Sequence, residues 1–378
     1  MTFPHDERLR LDRDRWQYAL NLVDNWCSSG EIPSAGLIAG RGEAATDVHL
    51  YGKQTLASDS PPIRNDAIFL VASITKPAVA TAVLMLVERG LIVLGDRVED
   101  YVPEFRGKKK RGITVRHLLT HTSGLPDMLP NNIDLRKAQS PFSKFIAEIC
   151  DVTPDFPPGR GLQYQSMGIA MLGEIIKRVS GKPYSDFIRD EILRPLGMND
   201  SELGAPDHWY DAPEKNISRV VELKVPEEQK TATDWNWNSR YWLQFGAPWG
   251  GLLTTPGDLS RFARMMLGNG EFNGVRILSP ATVAEATRSQ INGFPELPEA
   301  DRRCKPWGYG WKMIWPGRSE NFGDLLSPDT YGHWGSTGSL LWIDPRTRTF
   351  LIFLTSLPQD PRGAYLARLS NAVAASFK

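Results

Sequence analysis

The sequence predicts an α/β protein of the α+β kind: one antiparallel sheet built from both chain ends, flanked by helices, with a mainly helical domain inserted between them. Three observations carry this. Strand-like segments lie near the two ends, Ala35 to Ala39 and Val48 to Tyr51 on one side, Tyr309 to Trp315, Leu340 to Ile343 and Phe350 to Thr355 on the other. Helical periodicity dominates the middle. The turn Asp344-Pro345-Arg346-Thr347 joins the last two strands as a hairpin. The expected division is residues 1–72 with 300–378 for the sheet domain, and 73–299 for the mainly helical domain with irregular loops.

In chain order, Trp16, Leu20, Val23 and Trp26 recur at helical spacing, and Gly30 closes that helix. Ala78 to Arg89 is apolar on every side, so it belongs in a core. Thr114 caps a short helix that ends before Gly124. Pro126 to Pro158 reads as helix with polar loops. Met167 to Val179 is a helix ended by Gly181, with Ser166 in position to cap it, and Tyr184 to Leu193 is a shorter one. From Ala205 to Trp249 periodicity is poor and aromatics are dense, a pattern that suits a pocket lining; Trp235, Trp242 and Trp249 are candidates. Pro256 to Leu267 and Ala364 to Phe377 are helices.

Composition excludes several classes. Lys plus Arg and Asp plus Glu are 44 each, with a pI near 7.0, so nothing points to nucleic acid or an anionic membrane. The run Lys108-Lys109-Lys110-Arg111 reads as a solvated turn. Cys27, Cys150 and Cys304 are odd in number and far apart, which suggests neither a disulfide frame nor a zinc site. His117 and His121 are four apart but lack the glutamate of a zinc-protease helix, so they read as structural and no metal or cofactor is expected. No apolar run is long enough to span a membrane. Met1 to Arg15 lacks a signal-peptide core, so the expectation is a cytoplasmic protein, although a form trimmed of a leader would look the same.

Chemistry concentrates at three places. Ser73 and Lys76 are one turn apart at the mouth of the buried helix. Burial disfavours an ammonium, and an amine with a lowered pKa can take the proton of a neighbouring serine. Ser73 as a mere helix cap is the plain alternative. Tyr164-Gln165-Ser166 enters a helix, and a tyrosine there can relay a proton if cationic neighbours lower its pKa. In Gly332-His333-Trp334-Gly335-Ser336 the glycines let the backbone approach a ligand, and a strand N–H can join that of Ser73 around an oxyanion.

Ser73-x-x-Lys76, Tyr164-x-Ser166 and His333-x-Gly335, in this order, resemble the serine β-lactamase and penicillin-binding-protein superfamily. The tyrosine is similar to that of class C β-lactamases, family VIII carboxylesterases and related D-aminopeptidases and D,D-peptidases. Leu118 to Leu125, Pro158-Gly159, Gly250-Gly251-Leu252 and Thr255-x-x-Asp258 fit the same pattern, over roughly Ala35 to Thr355. The resemblance implies the β-lactamase/transpeptidase-like fold and an acyl-enzyme on Ser73. Lys76, Tyr164 and His333 would assist, the Ser73 and Ser336 N–H groups would hold the oxyanion, and Ser166, Trp334 and Gly335 would line the substrate site.

Two departures matter. Ser166 replaces the usual asparagine of class C enzymes, and His333 replaces a lysine that would hold a substrate carboxylate. Both shift the expectation toward a small neutral ester or amide and away from efficient β-lactam hydrolysis. A D,D-peptidase, D-aminopeptidase or β-lactamase, an acyltransferase using the same acyl-enzyme, and a non-catalytic binding protein of this fold remain open.

Overall fold

Strand β1 (Ser34–Arg41) and the distant strand β12 (Thr349–Thr355) pair antiparallel, Ala35 opposite Thr355 and Arg41 opposite Thr349. The computed structural model describes residues 7–107, 109–211, 216–315, 321–360 and 362–378. Around that pair the sheet runs β2-β1-β12-β11-β10-β9, with β3 also on β1. Here β2 is Ala44–Ala45, β3 His49–Gly52, β9 Lys312–Met313, β10 Tyr331–Trp334 and β11 Leu340–Asp344. Two small sheets complete the set: β4 (Phe69–Leu70), β6 (Leu252–Thr254) and β5 (Glu202–Leu203), then β7 (Glu271–Phe272) with β8 (Val275–Arg276).

Both faces of the large sheet are covered, which explains why its strands read as continuous apolar runs. Side chains alternate along a strand. Leu37, Trp342, Leu351 and Phe353 pack with helices α1 (Arg13–Ser28) and α6 (Ala364–Ala374). Ile38, Leu341, Ile343 and Ile352 face the main core, which holds α2 (Thr75–Glu88), α4 (Ser166–Ser180) and α5 (Pro256–Leu267). Helix α2 is buried on all sides from Thr75 to Leu86, as its uniform apolarity requires.

Three expectations are corrected. Tyr309 to Trp315 pairs with β10 only at β9, because the chain turns at 308–311, where the Gly308 N–H donates to the Trp311 carbonyl at 2.8 Å and Gly310 has φ +76°. The turn expected at Lys108–Arg111 is not uniformly solvated: Lys110 is buried, its amine donating to the Cys150 carbonyl and lying 5.1 Å from the Phe105 ring centroid. Lys108 lies outside the described residues. Ser166 does not cap α4 with its own side chain; the cap comes from Asp127. Among the described residues no helix is long and apolar enough to cross a membrane.

Candidate active site

Ser73 sits in a tight turn, Ala72–Ile74, between β4 and α2. Ala72 takes φ +47°, a conformation costing a non-glycine residue about 1–3 kcal/mol and one that clusters at functional sites. The surroundings hold the turn in place. Thr75 Oγ1 donates to the Ala72 carbonyl at 2.7 Å and accepts the Leu252 N–H at 3.0 Å. Gly335, just past β10, presses on it; a Cβ at Gly335 would fall 2.2 Å from the Val71 carbonyl. Only glycine admits that approach, which brings the Gly335-Ser336 backbone against the Ser73 turn.

Lys76, in the first turn of α2, is fully buried. Its Nζ lies 2.7 Å from Ser73 Oγ, donates to the Trp249 carbonyl at 2.9 Å, and stands 4.7 Å from the Tyr164 ring centroid. Burial pulls its pKa down to about 7, with Asp127 opposing the shift. The carbonyl occupies one N–H, so the lone pair of the neutral amine is free to turn toward the Ser73 hydroxyl.

Tyr164 meets the same hydroxyl, but its phenol is not the low-pKa relay the sequence suggests. Burial pushes its pKa up, a hydrogen bond with Ser73 partly offsets this, and Asp127 adds to it. Desolvation outweighs the Ser73 hydrogen bond that would lower it. Tyr164 therefore stays a phenol, and Lys76 is the group that titrates near neutrality.

His333 is fully buried, 6.0 Å from the Tyr164 ring and 5.8 Å from that of Trp307 between centroids. Nδ1 lies 2.7 Å from the Trp334 carbonyl, which can only accept, so Nδ1 carries the proton. Burial, then Lys76, lowers its pKa to about 3, the Trp334 contact opposing and Lys312 reinforcing the shift. Nε2 is thus a bare acceptor, buried with no hydrogen-bond partner among the described residues.

The other candidates separate. Ser166 donates through N and Oγ to Asp127 Oδ1, at 2.9 and 2.6 Å. Strand alternation sends Trp334 to the opposite face from His333, where it packs edge-on against Phe322 at 5.9 Å. The Trp235 and Trp242 rings enclose the Arg136 guanidinium, 5.1 and 4.1 Å from their centroids. Trp249 packs between Phe145 and Phe245, each 5.8 Å away, and its carbonyl accepts the Lys76 N–H. The three loop tryptophans bind the loop to the body, correcting the pocket-lining expectation.

Sequence reasoning missed Asp127, His121 and Trp307. Asp127 follows the Gly124-Leu125-Pro126 run. His121 and Trp307 meet at 4.4 Å beside Tyr164. His121 is visible in the sequence as half of a histidine pair and within the Leu118 to Leu125 stretch, and Trp307 as one aromatic in a glycine-rich run.

A family model described as Beta-lactamase matches residues 22–375. Penicillin-binding protein 4 of Amycolatopsis lactamdurans is 30% identical over 301 residues, 78% of this chain and 73% of that protein. Esterase EstB of Burkholderia gladioli is 29% identical over 305 residues, 72% and 74% respectively. A penicillin-binding-protein homologue from Caulobacter crescentus superposes with a TM-score of 0.77 over 96% of this chain and 98% of that one, at 23% identity, and so shares the fold. With nearly the whole length matched, this chain belongs to the β-lactamase family, in the serine β-lactamase and penicillin-binding-protein superfamily and with its esterase-like branch among the relatives.

Proposed function

We propose that the protein is a serine hydrolase that cleaves a small neutral ester, or an amide, through an acyl-enzyme on Ser73. The observation that carries this is the Lys76 amine 2.7 Å from Ser73 Oγ, its pKa lowered to about 7. Neutral Lys76 takes the hydroxyl proton as Ser73 attacks the carbonyl carbon. The Ser73 and Ser336 N–H groups receive the developing oxyanion. Tyr164, a phenol, passes a proton to the departing alkoxide or amine and is reprotonated by Lys76. Water then repeats the sequence on the acyl-enzyme. EstB supports the ester reading. So does His333, neutral where a fixed cation would be needed to hold a carboxylate.

A fluorophosphonate should leave one adduct, on Ser73 by peptide mass spectrometry, and none in Ser73→Ala. Label on another residue, or an adduct that survives the substitution, overturns the assignment.

Two further outcomes follow from His333. His333→Ala should lower kcat/KM for p-nitrophenyl butyrate by about 10²-fold or less, the low end for a group that assists proton transfer. The rise of kcat/KM with pH near 7 should persist in that variant. His333, with a pKa lowered to about 3, is neutral on both sides of that step, whereas Lys76 is not. A pH–rate series on the two proteins checks both.

A further inference from the structure

His121 takes no part in the proton transfers above. It follows the short helix α3 (Val115–Leu119) and is buried at φ +60°, a conformation in which histidine is tolerated but uncommon. Its contacts converge on one neighbour. Its carbonyl accepts the Gln163 N–H at 3.0 Å, and its ring Nδ1 accepts the Gln165 N–H at 3.2 Å. One residue therefore anchors the backbone on both sides of Tyr164. Its ring lies 4.8 Å from the Tyr164 ring and meets Trp307 edge-on at 4.4 Å. The Gln165 side chain secures the other end, donating to the His117 and Leu118 carbonyls, both at 3.2 Å, and accepting from Ser123.

We infer that His121 is the positioning residue for Tyr164, fixing the peptides on either side of it and so setting where the phenol stands between Ser73 and Lys76. The inference rests on the acyl-enzyme reading above. A backbone N–H can be accepted only by an unprotonated Nδ1, so the proton of the neutral ring is on Nε2, the opposite tautomer to His333. The groups facing the ring keep it neutral: burial first, then Lys76, His333 and Lys312, hold its pKa well below the usual histidine value. Tyr164 and Trp307 add aromatic walls and no charge at neutral pH.

The test compares two substitutions. Asparagine accepts positive φ more readily than other non-glycine residues, and its Oδ1 stands near the place of Nδ1. Leucine fills the volume but leaves the Gln165 N–H buried without a partner. Rates are normalised to the Ser73 titrated by fluorophosphonate, so protein that fails to fold drops out. His121→Leu should lower kcat by about 30- to 100-fold with KM within about twofold, because a mis-set proton donor slows chemistry more than binding. His121→Asn should stay within about fivefold of wild type in kcat. In parallel, ¹⁵N NMR of histidine-labelled wild type should show His121 as the Nε2–H tautomer, a reading independent of any variant. Equal kcat losses in the two variants, a change confined to KM, or the Nδ1–H tautomer would each overturn the inference. Absence of a wild-type Ser73 adduct would instead overturn the hydrolase reading, while the tautomer would still decide whether His121 holds the Tyr164 backbone.

Discussion

Ser73→Ala should lower kcat/KM for an activated ester by about 10⁴- to 10⁶-fold, the range seen when a nucleophile that works as a unit with its base is removed. That is about 5–8 kcal/mol of transition-state stabilisation. The fold should not register the change. Ser73 is partly exposed, and its hydroxyl is a partner of Lys76 Nζ, which keeps the Trp249 carbonyl. Alanine also suits the tight turn sterically. Steady-state kinetics with a melting curve checks both halves. Residual activity within tenfold of wild type would move the nucleophile elsewhere.

Lys76→Met should act in opposite directions on rate and stability. The rate should fall by about 10³- to 10⁴-fold through loss of the base, and the rise in activity near pH 7 should vanish with it. Stability at pH 7 should rise. Lys76 titrates at about 7 when folded and near 10.5 when unfolded, so folding at pH 7 works against a discharging cost on the order of 4 kcal/mol. Methionine removes that cost while leaving the Trp249 carbonyl one donor short, a loss of about 1–3 kcal/mol. The first term is the larger. Between pH 7 and 10.5 the unfolded chain binds the extra proton, so wild-type stability gains with rising pH. The advantage of the methionine protein is therefore fullest at and below pH 7 and gone above about 10.5. Melting temperatures at pH 6.5 and 9.5 decide the matter; a gap that widens toward high pH contradicts the lowered pKa.

Local periodicity made the helices legible. Pro256 to Leu267 reads from the sequence with the same bounds that α5 has, because Thr255 caps it through the Asp258 N–H and its apolar face is clean. The hairpin β11–β12 and the burial of α2 are equally local facts. Ser73 and Lys76 fall in the same category, since a spacing of three on a helix start already implies contact. What escaped depends on tertiary neighbours. The environment of Tyr164 is set by desolvation and by Asp127, 37 positions earlier, and its backbone by His121, 43 positions earlier. Trp334 was misplaced for a different reason: a motif names consecutive residues, whereas a strand sends alternate side chains to opposite faces. The loop tryptophans misled because density of aromatics says nothing about whether a ring faces a ligand or an arginine such as Arg136.

The pairing of β1 with β12 also dictates an order of events in time. Ala35 can find Thr355 only after nearly all the intervening chain is available, and contacts so far apart in sequence make for slow folding. The helix bearing Lys76 draws on neighbouring residues, whereas the turn bearing Ser73 waits for the distant Leu252 N–H that holds Thr75. The strand end that presses on them, Gly335, arrives only with the closing sheet. Catalytic competence is then the last property the refolding chain acquires. In stopped-flow refolding, esterase activity should lag the recovery of helical circular dichroism.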